Sequence, residues 1–127
     1  MRWWFVALGG VLGAWARYGL DTLVYRWLNE PVFPYGTVLV NGLGCVMIGF
    51  LAQLGEQRGL FSPETRALVF IGLLGAFTTF STFGYETVAL LRDGDFWRAG
   101  ANLGTHLVLA IGGVWGGMAL ADAVAGG

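Results

Sequence analysis

In the middle of an apolar segment long enough to cross a bilayer stands the run Gly75-Ala76-Phe77-Thr78-Thr79-Phe80-Ser81-Thr82-Phe83, in which phenylalanines are interleaved with hydroxyls. Hydrocarbon offers no hydrogen bonds, so hydroxyl-rich or irregular backbone at membrane depth survives only where protein or a water-filled cavity surrounds it. The run must face inward, and it marks a site rather than a plain span.

The surrounding chain is built for lipid. Its 127 residues are 56% hydrophobic and 12% charged, with 22 glycines and no lysine, and its mean hydropathy is +0.65. A soluble domain wets its surface with far more charge. Four apolar tracts follow one another: Trp3 to about Tyr25, Pro31 to Gly55, Ala67 to Leu91, and Ala99 to Ala121. The second and fourth carry no formal charge and exceed the roughly 20 residues that span a bilayer. The first meets Arg17, Asp21 and Arg26, and the third holds Glu86. The first is read as a span, since its apolar pattern begins at once and lacks the arrangement of a cleaved signal. Short connections are expected at Asn29 to Pro34, Glu56 to Thr65 and Arg92 to Arg98. Ser62-Pro63-Glu64 has the cap, first-turn proline and acidic residue of a helix start. The expectation is an all-α membrane protein forming a single transmembrane domain over residues 1–127, with four transmembrane helices and the third broken near its middle, at Gly75 to Ser81. Cys45 is the only cysteine and excludes an internal disulfide.

With four spans both termini share a side. Arg2, Arg58 and Arg66 then fall on that side, and Arg26, Arg92 and Arg98 on the other. Orientation normally follows an excess of Lys and Arg in cytoplasmic loops, and none exists here. Either Arg17 breaks the tie, or copies insert both ways and pair antiparallel. Gly9 and Gly13, Gly112 and Gly116, and Gly113 and Gly117 are spaced for close helix approach, within one subunit or between two.

Polar residues inside the spans give the candidate site. Burying a bare anion costs on the order of tens of kcal/mol, so an anion path must replace water with positive dipoles. A phenyl ring has a negative face and a positive rim. Phe80 and Phe83, three apart on one helical face, could present ring edges to an anion, or could simply pack; the adjacent Thr79, Ser81 and Thr82 argue against a purely apolar core. Asn41 and Thr37 align an amide and a hydroxyl along one face, as a pore wall or as an interhelical hydrogen bond. Glu86 falls near the face of Phe83 and Thr79. It could be protonated, orient neighbouring hydroxyls, or be paired near the interface. Arg17 could draw anions into a vestibule or snorkel to headgroups. His106 shares a face with Asn102, which suits a packing hydrogen bond, and no second His or Cys makes it a metal ligand.

Three segments together resemble the Fluc (CrcB) fluoride channels: Gly9-Gly10-Val11-Leu12-Gly13-Ala14-Trp15-Ala16-Arg17-Tyr18, Pro34-Tyr35-Gly36-Thr37-Val38-Leu39-Val40-Asn41, and Gly72 to Phe83. The resemblance covers essentially the whole chain, and its third motif is the specific one. It implies a fluoride-selective channel for passive export of cytoplasmic fluoride, an inner (plasma) membrane location, and an antiparallel dual-topology homodimer. It further implies a sodium ion at the dimer axis, held by the carbonyls of Gly75 and Thr78 from both subunits. The anion pathway it implies comprises Asn41, Phe80, Phe83, Thr37, Thr79, Ser81, Thr82, Glu86 and Arg17. The partners are fluoride, the lipid bilayer and a second copy of the chain, with no nucleic acid.

The chain departs from the family pattern on the fourth span, where Ala110 and Val114 stand at positions that commonly carry hydroxyls, and at Gly84, where a serine is common. Two other classes stay in view. A proton-coupled multidrug exporter needs a carboxylate near the middle of the first span, and Asp21 lies toward its end. A non-conducting assembly subunit would suit an apolar fourth span. No nucleophile and base pair, metal-ligand cluster or phosphate loop points to an enzyme.

Overall fold

The computed structural model describes residues 2–29 and 32–126, and every regular element among them is helical. Helix α1 runs Trp3–Leu28 and α2 runs Tyr35–Arg58. A segmented rod follows, made of α3 Pro63–Arg66, a π-helical stretch Ala67–Leu74, α4 Gly75–Phe77 and α5 Phe80–Arg92. The last helix, α6, runs Phe96–Gly126. The expected connection at Asn29 to Pro34 and the start of the second tract include Glu30 and Pro31, which lie outside the described residues.

Three elements are long and apolar enough to cross a membrane: α2, the whole rod Pro63–Arg92, and α6. Helix α1 has the length, at 26 residues, but Arg17, Asp21 and Arg26 dilute its hydropathy. Large apolar side chains face outward along every rod, and all six tryptophans are exposed, among them Trp3, Trp27 and Trp97 near helix ends. That distribution suits lipid, with the end tryptophans at headgroup depth.

Small residues decide the packing. A Cβ on Gly9 or Gly13 would collide with the Leu68 and Leu73 carbonyls, so α1 lies directly on the π-helical stretch. Gly49 meets the Val114 carbonyl, Gly117 meets the Val46 carbonyl, and Gly113 meets Cys45, so α2 and α6 pack along their whole length. Gly112 and Gly116 have open space around them. The glycine pairs of the sequence thus divide: Gly9 with Gly13 and Gly113 with Gly117 serve packing within the chain, and Gly112 with Gly116 face out.

The break in the rod is shorter than the expected Gly75 to Ser81. Gly75–Phe77 and Ser81 are helical, and only Thr78 and Thr79 are extended, with φ/ψ of −87/157 and −149/118. Hydroxyls make so short a break tenable. Thr78 Oγ1 donates to the Leu74 carbonyl at 3.1 Å, closing the segment before it. Thr79 Oγ1 accepts from the Thr82 backbone N–H at 3.2 Å, capping α5 in the manner of an N-terminal threonine. The start of the rod uses the same device, with Ser62 Oγ accepting from the Thr65 N–H at 3.2 Å.

Candidate functional site

The break creates two unpaired backbone groups on Thr79, and one side chain of α2 satisfies both. Asn41 Oδ1 accepts from the Thr79 N–H at 2.8 Å, and Asn41 Nδ2 donates to the Thr79 carbonyl at 3.0 Å. The amide stands in for a missing strand partner, which is what buried backbone requires in hydrocarbon. Its second Nδ2 hydrogen points to His106 Nε2 on α6 at 3.1 Å, and His106 Nδ1 lies 3.1 Å from the Asn102 carbonyl. Asn102, fully buried, donates from Nδ2 to Thr87 Oγ1 at 2.9 Å, and Thr87 Oγ1 donates to the Phe83 carbonyl at 2.8 Å. A continuous hydrogen-bonded chain therefore ties α2, the break, α5 and α6 together.

Beside that chain lies a cavity of about 390 Å³ whose lining includes Asn41, Thr78, Thr79, Phe80, Phe83 and His106, together with Gly75 and Ala110. The Phe80 and Phe83 ring centroids are 5.6 Å apart with planes tilted by 43°, and Phe83 lies 4.3 Å from the His106 ring. Phe83 is half-buried, whereas Phe80 is 84% exposed on the outer surface of the chain. An open, aromatic cavity with a few convergent polar groups is the usual form of a small-ligand site.

Sequence-selected residues do not all meet here. Thr79 lines the cavity, but its hydroxyl is engaged in the cap and with Thr82 Oγ1 at 3.0 Å. Ser81 is exposed. Thr37, expected to continue the wall from Asn41, is buried a turn away, where its hydroxyl lies against the Glu86 carboxyl. That second polar centre also holds Asp21, whose carboxyl fills the space a side chain on Gly36 would need and which is electrostatically coupled to Arg17 and Glu86. Arg17 Nε and Glu86 Oε1, like Asn102 Oδ1 in the first network, are buried without a hydrogen-bond partner among the described residues. Ala110 lines both the main cavity and a shallow surface groove that it shares with Ile111, Val114, Trp115 and Met118, while Val114 lines only the groove.

Sequence reasoning did not place three contributors in the site. Asp21 had a signal in its four-residue spacing from Arg17 and in Gly36, whose missing side chain admits it. Asn102 and Thr87 had only the general rule that polar residues in a span face the bundle interior. His106 was assigned a packing bond, yet it touches both Asn41 and the Phe83 ring. Among the described residues no group of three or more His, Cys, Asp or Glu side chains could hold a metal. Carbonyls released at the break suit a hard alkali cation in kind. One chain offers too few of them, and the Thr79 carbonyl is already taken by Asn41.

Residues 4–118 match the family model described as CrcB-like protein, Camphor Resistance (CrcB). A Methylobacillus flagellatus protein named fluoride-specific ion channel FluC is 45% identical over 115 residues, covering 91% of this chain and 90% of its own length. An Opitutus terrae protein of the same name is 47% identical over 113 residues, covering 87% and 85%. A Methylococcus capsulatus protein, also so named, is 43% identical over 122 residues and covers 96% of this chain. The chain spans only 53% of that relative's length. These relatives are ion channels and not enzymes.

Proposed function

This chain belongs to the CrcB family, and we propose on that footing that it is a fluoride-selective ion channel giving passive export of cytoplasmic fluoride and so reducing fluoride toxicity. The observation that carries the reading is the cavity at the broken rod, where one amide holds open an irregular backbone between two phenylalanines and a second helix. A channel must replace an anion's water with contacts that are favourable enough to admit it and weak enough to release it. Ring edges meet that need better than a fixed cation, because each contributes a partial positive charge that moves nowhere and forms no ion pair. The pathway residues in this reading are Asn41, Phe80, Phe83, Thr37, Thr79, Ser81, Thr82, Glu86 and Arg17.

The working unit in this reading is an antiparallel homodimer of dual topology, each copy crossing an inner (plasma) membrane four times. Its support is the exposure of Phe80 at 84% beside an open cavity, together with the even division of arginines between the two sides. A second copy would close the cavity wall and double the carbonyls of Gly75 and Thr78, which would hold a structural sodium ion. The ion would supply a fixed positive charge that helps anions enter.

Fluoride-loaded liposomes containing the purified protein test the function. Fluoride release with chloride retained is expected. Cation-driven substrate exchange without fluoride movement would indicate the exporter class instead, and no movement of either would indicate an assembly subunit. Tags on the C-terminus should be reachable from both sides of the membrane, and access from a single side would overturn dual topology.

A further inference from the structure

Asn41 has three hydrogen-bonding positions engaged, and together they leave no donor for an anion. Thr79 N–H can only donate, so Asn41 turns Oδ1 to it; Thr79 C=O can only accept, so Nδ2 faces that carbonyl. The remaining Nδ2 hydrogen is directed at His106 Nε2. The Asn102 carbonyl can only accept as well, so His106 Nδ1 carries a proton and Nε2 offers a lone pair. One arrangement satisfies all four bonds, and in it the neutral imidazole consumes the N–H that the pathway would offer to fluoride.

We propose that His106 is a specificity-determining residue of the anion site, whose protonation at Nε2 turns the Asn41–His106 contact from a closed hydrogen bond into two converging N–H donors for fluoride. This rests on the channel reading. A proton from the aqueous phase adds to the Nε2 lone pair, the imidazole becomes a cation, and Asn41 Nδ2 can no longer donate to it. The two nitrogens, 3.1 Å apart at the cavity wall, then both carry N–H groups that must turn from each other toward the cavity, where one small hard acceptor can take both. The anion also neutralises the new charge, so proton and fluoride favour each other's binding, as linkage requires. Phe83, 4.3 Å away, is an aromatic partner for the imidazolium. Chloride, larger and a poorer acceptor, satisfies the pair less well.

The groups around His106 allow this titration to be read cleanly. From α2 the cavity receives Asn41 and Cys45; from α5 it receives Phe80 and Phe83; from the π-helical stretch it receives Phe70 and Leu74. Among the described lining residues Cys45 is the other titratable group. Glu86 of α5 lies against Thr37 in the second polar centre. His106 is the only histidine in the chain, so nitrogen-15 histidine labelling reports on it alone.

Nuclear magnetic resonance of the labelled full-length protein in lipid is the direct test. The neutral form is expected to carry its proton on Nδ1, and fluoride at neutral pH is expected to increase the doubly protonated population while chloride does not. An Nε2-protonated neutral form, or a spectrum indifferent to fluoride, would overturn the proposal. In liposomes, with leakage from protein-free vesicles subtracted, fluoride flux should rise severalfold as the pH falls from 7.5 to 5.5 and the imidazole takes up its proton. His106→Gln should abolish that dependence, and a pH profile retained in His106→Gln would also overturn it. Fluoride permeation with a silent imidazole defeats this inference and leaves the channel reading standing. An imidazole that answers to fluoride in a protein that passes none does the reverse.

Discussion

Two polar centres lie one helical turn apart along α2, and they have opposite characters. At Asn41 every side-chain donor and acceptor is matched, to Thr79 twice and to His106 once. Thr37 lies against Glu86, which interacts with Asp21 and through it with Arg17, and both Glu86 and Arg17 keep a buried polar atom unmatched among the described residues. The difference separates two uses of polarity in a membrane. A closed network fixes backbone that could not otherwise exist in hydrocarbon. An open cluster of charges contributes little rigidity and stays free to interact with what passes.

Asn41→Ala against Glu86→Gln should split those uses most widely. The alanine removes three hydrogen bonds, each worth about 0.6 kcal/mol between membrane helices, so stability in a denaturant titration should fall by about 2 kcal/mol. Fluoride flux should fall with it. Glu86→Gln should lower flux while stability holds or rises, since it removes a buried carboxyl whose Oε1 has no partner among the described residues. A larger stability loss from Glu86→Gln than from Asn41→Ala would break the comparison.

The phenylalanines sharpen it next. Phe83→Ile and Phe80→Ile should both reduce flux strongly, because each removes a ring edge and keeps much of the bulk. Phe83→Ile should cost more stability, by about 1 kcal/mol, since Phe83 loses its contacts with both Phe80 and His106 while the outward-facing Phe80 loses only the one with Phe83. Equal stability loss in both would mean that a partner surface holds Phe80 as tightly as the chain holds Phe83.

A smaller effect is expected on α6. Ala110→Ser adds a donor to the cavity wall and should raise flux by a factor of about 2 to 3, the scale of one modest hydrogen bond. Val114 lines the outer groove, which Ala110 shares, but not the main cavity, so Val114→Thr should change flux little. Identical gains from both would place the two side chains on a common path.

Outside the membrane segments the smallest effect serves as a control for both centres. Arg98 donates to Asp95 at 2.8 Å, and that bond holds the Asp95 carboxyl below the usual carboxylate range. A carboxyl so depressed contributes stability above about pH 3.9, lost as pH falls through its folded value. Asp95→Asn should therefore remove a slight stability difference at neutral pH, show none in strong acid, and leave fluoride flux unchanged.

The residues themselves explain how much of this could be read in advance. Apolar length announced α2, the rod and α6 because lipid imposes a period-free, charge-free stretch on any helix that crosses it. Ser62-Pro63-Glu64 announced the start of the rod because capping is a local matter, settled within one turn. The interruption near Thr78 was legible from hydroxyls at membrane depth, and so was the importance of Asn41 and the two phenylalanines. Its length was not legible, since only the reach of Asn41 from another helix limits the extended backbone to Thr78 and Thr79.

What the sequence determined by itself was therefore the solvent, the helices and the presence of a polar site within them, all consequences of composition over a turn or a span. Tertiary structure decided the partnerships. It set Thr37 with Glu86 rather than with Asn41, brought Asp21 against Gly36, turned Gly113 and Gly117 inward and Gly112 and Gly116 outward, and joined His106 to Asn41 across 65 residues. Such pairings depend on how helices rotate and slide against one another, which is fixed by close backbone approach at a few glycines far apart in the chain.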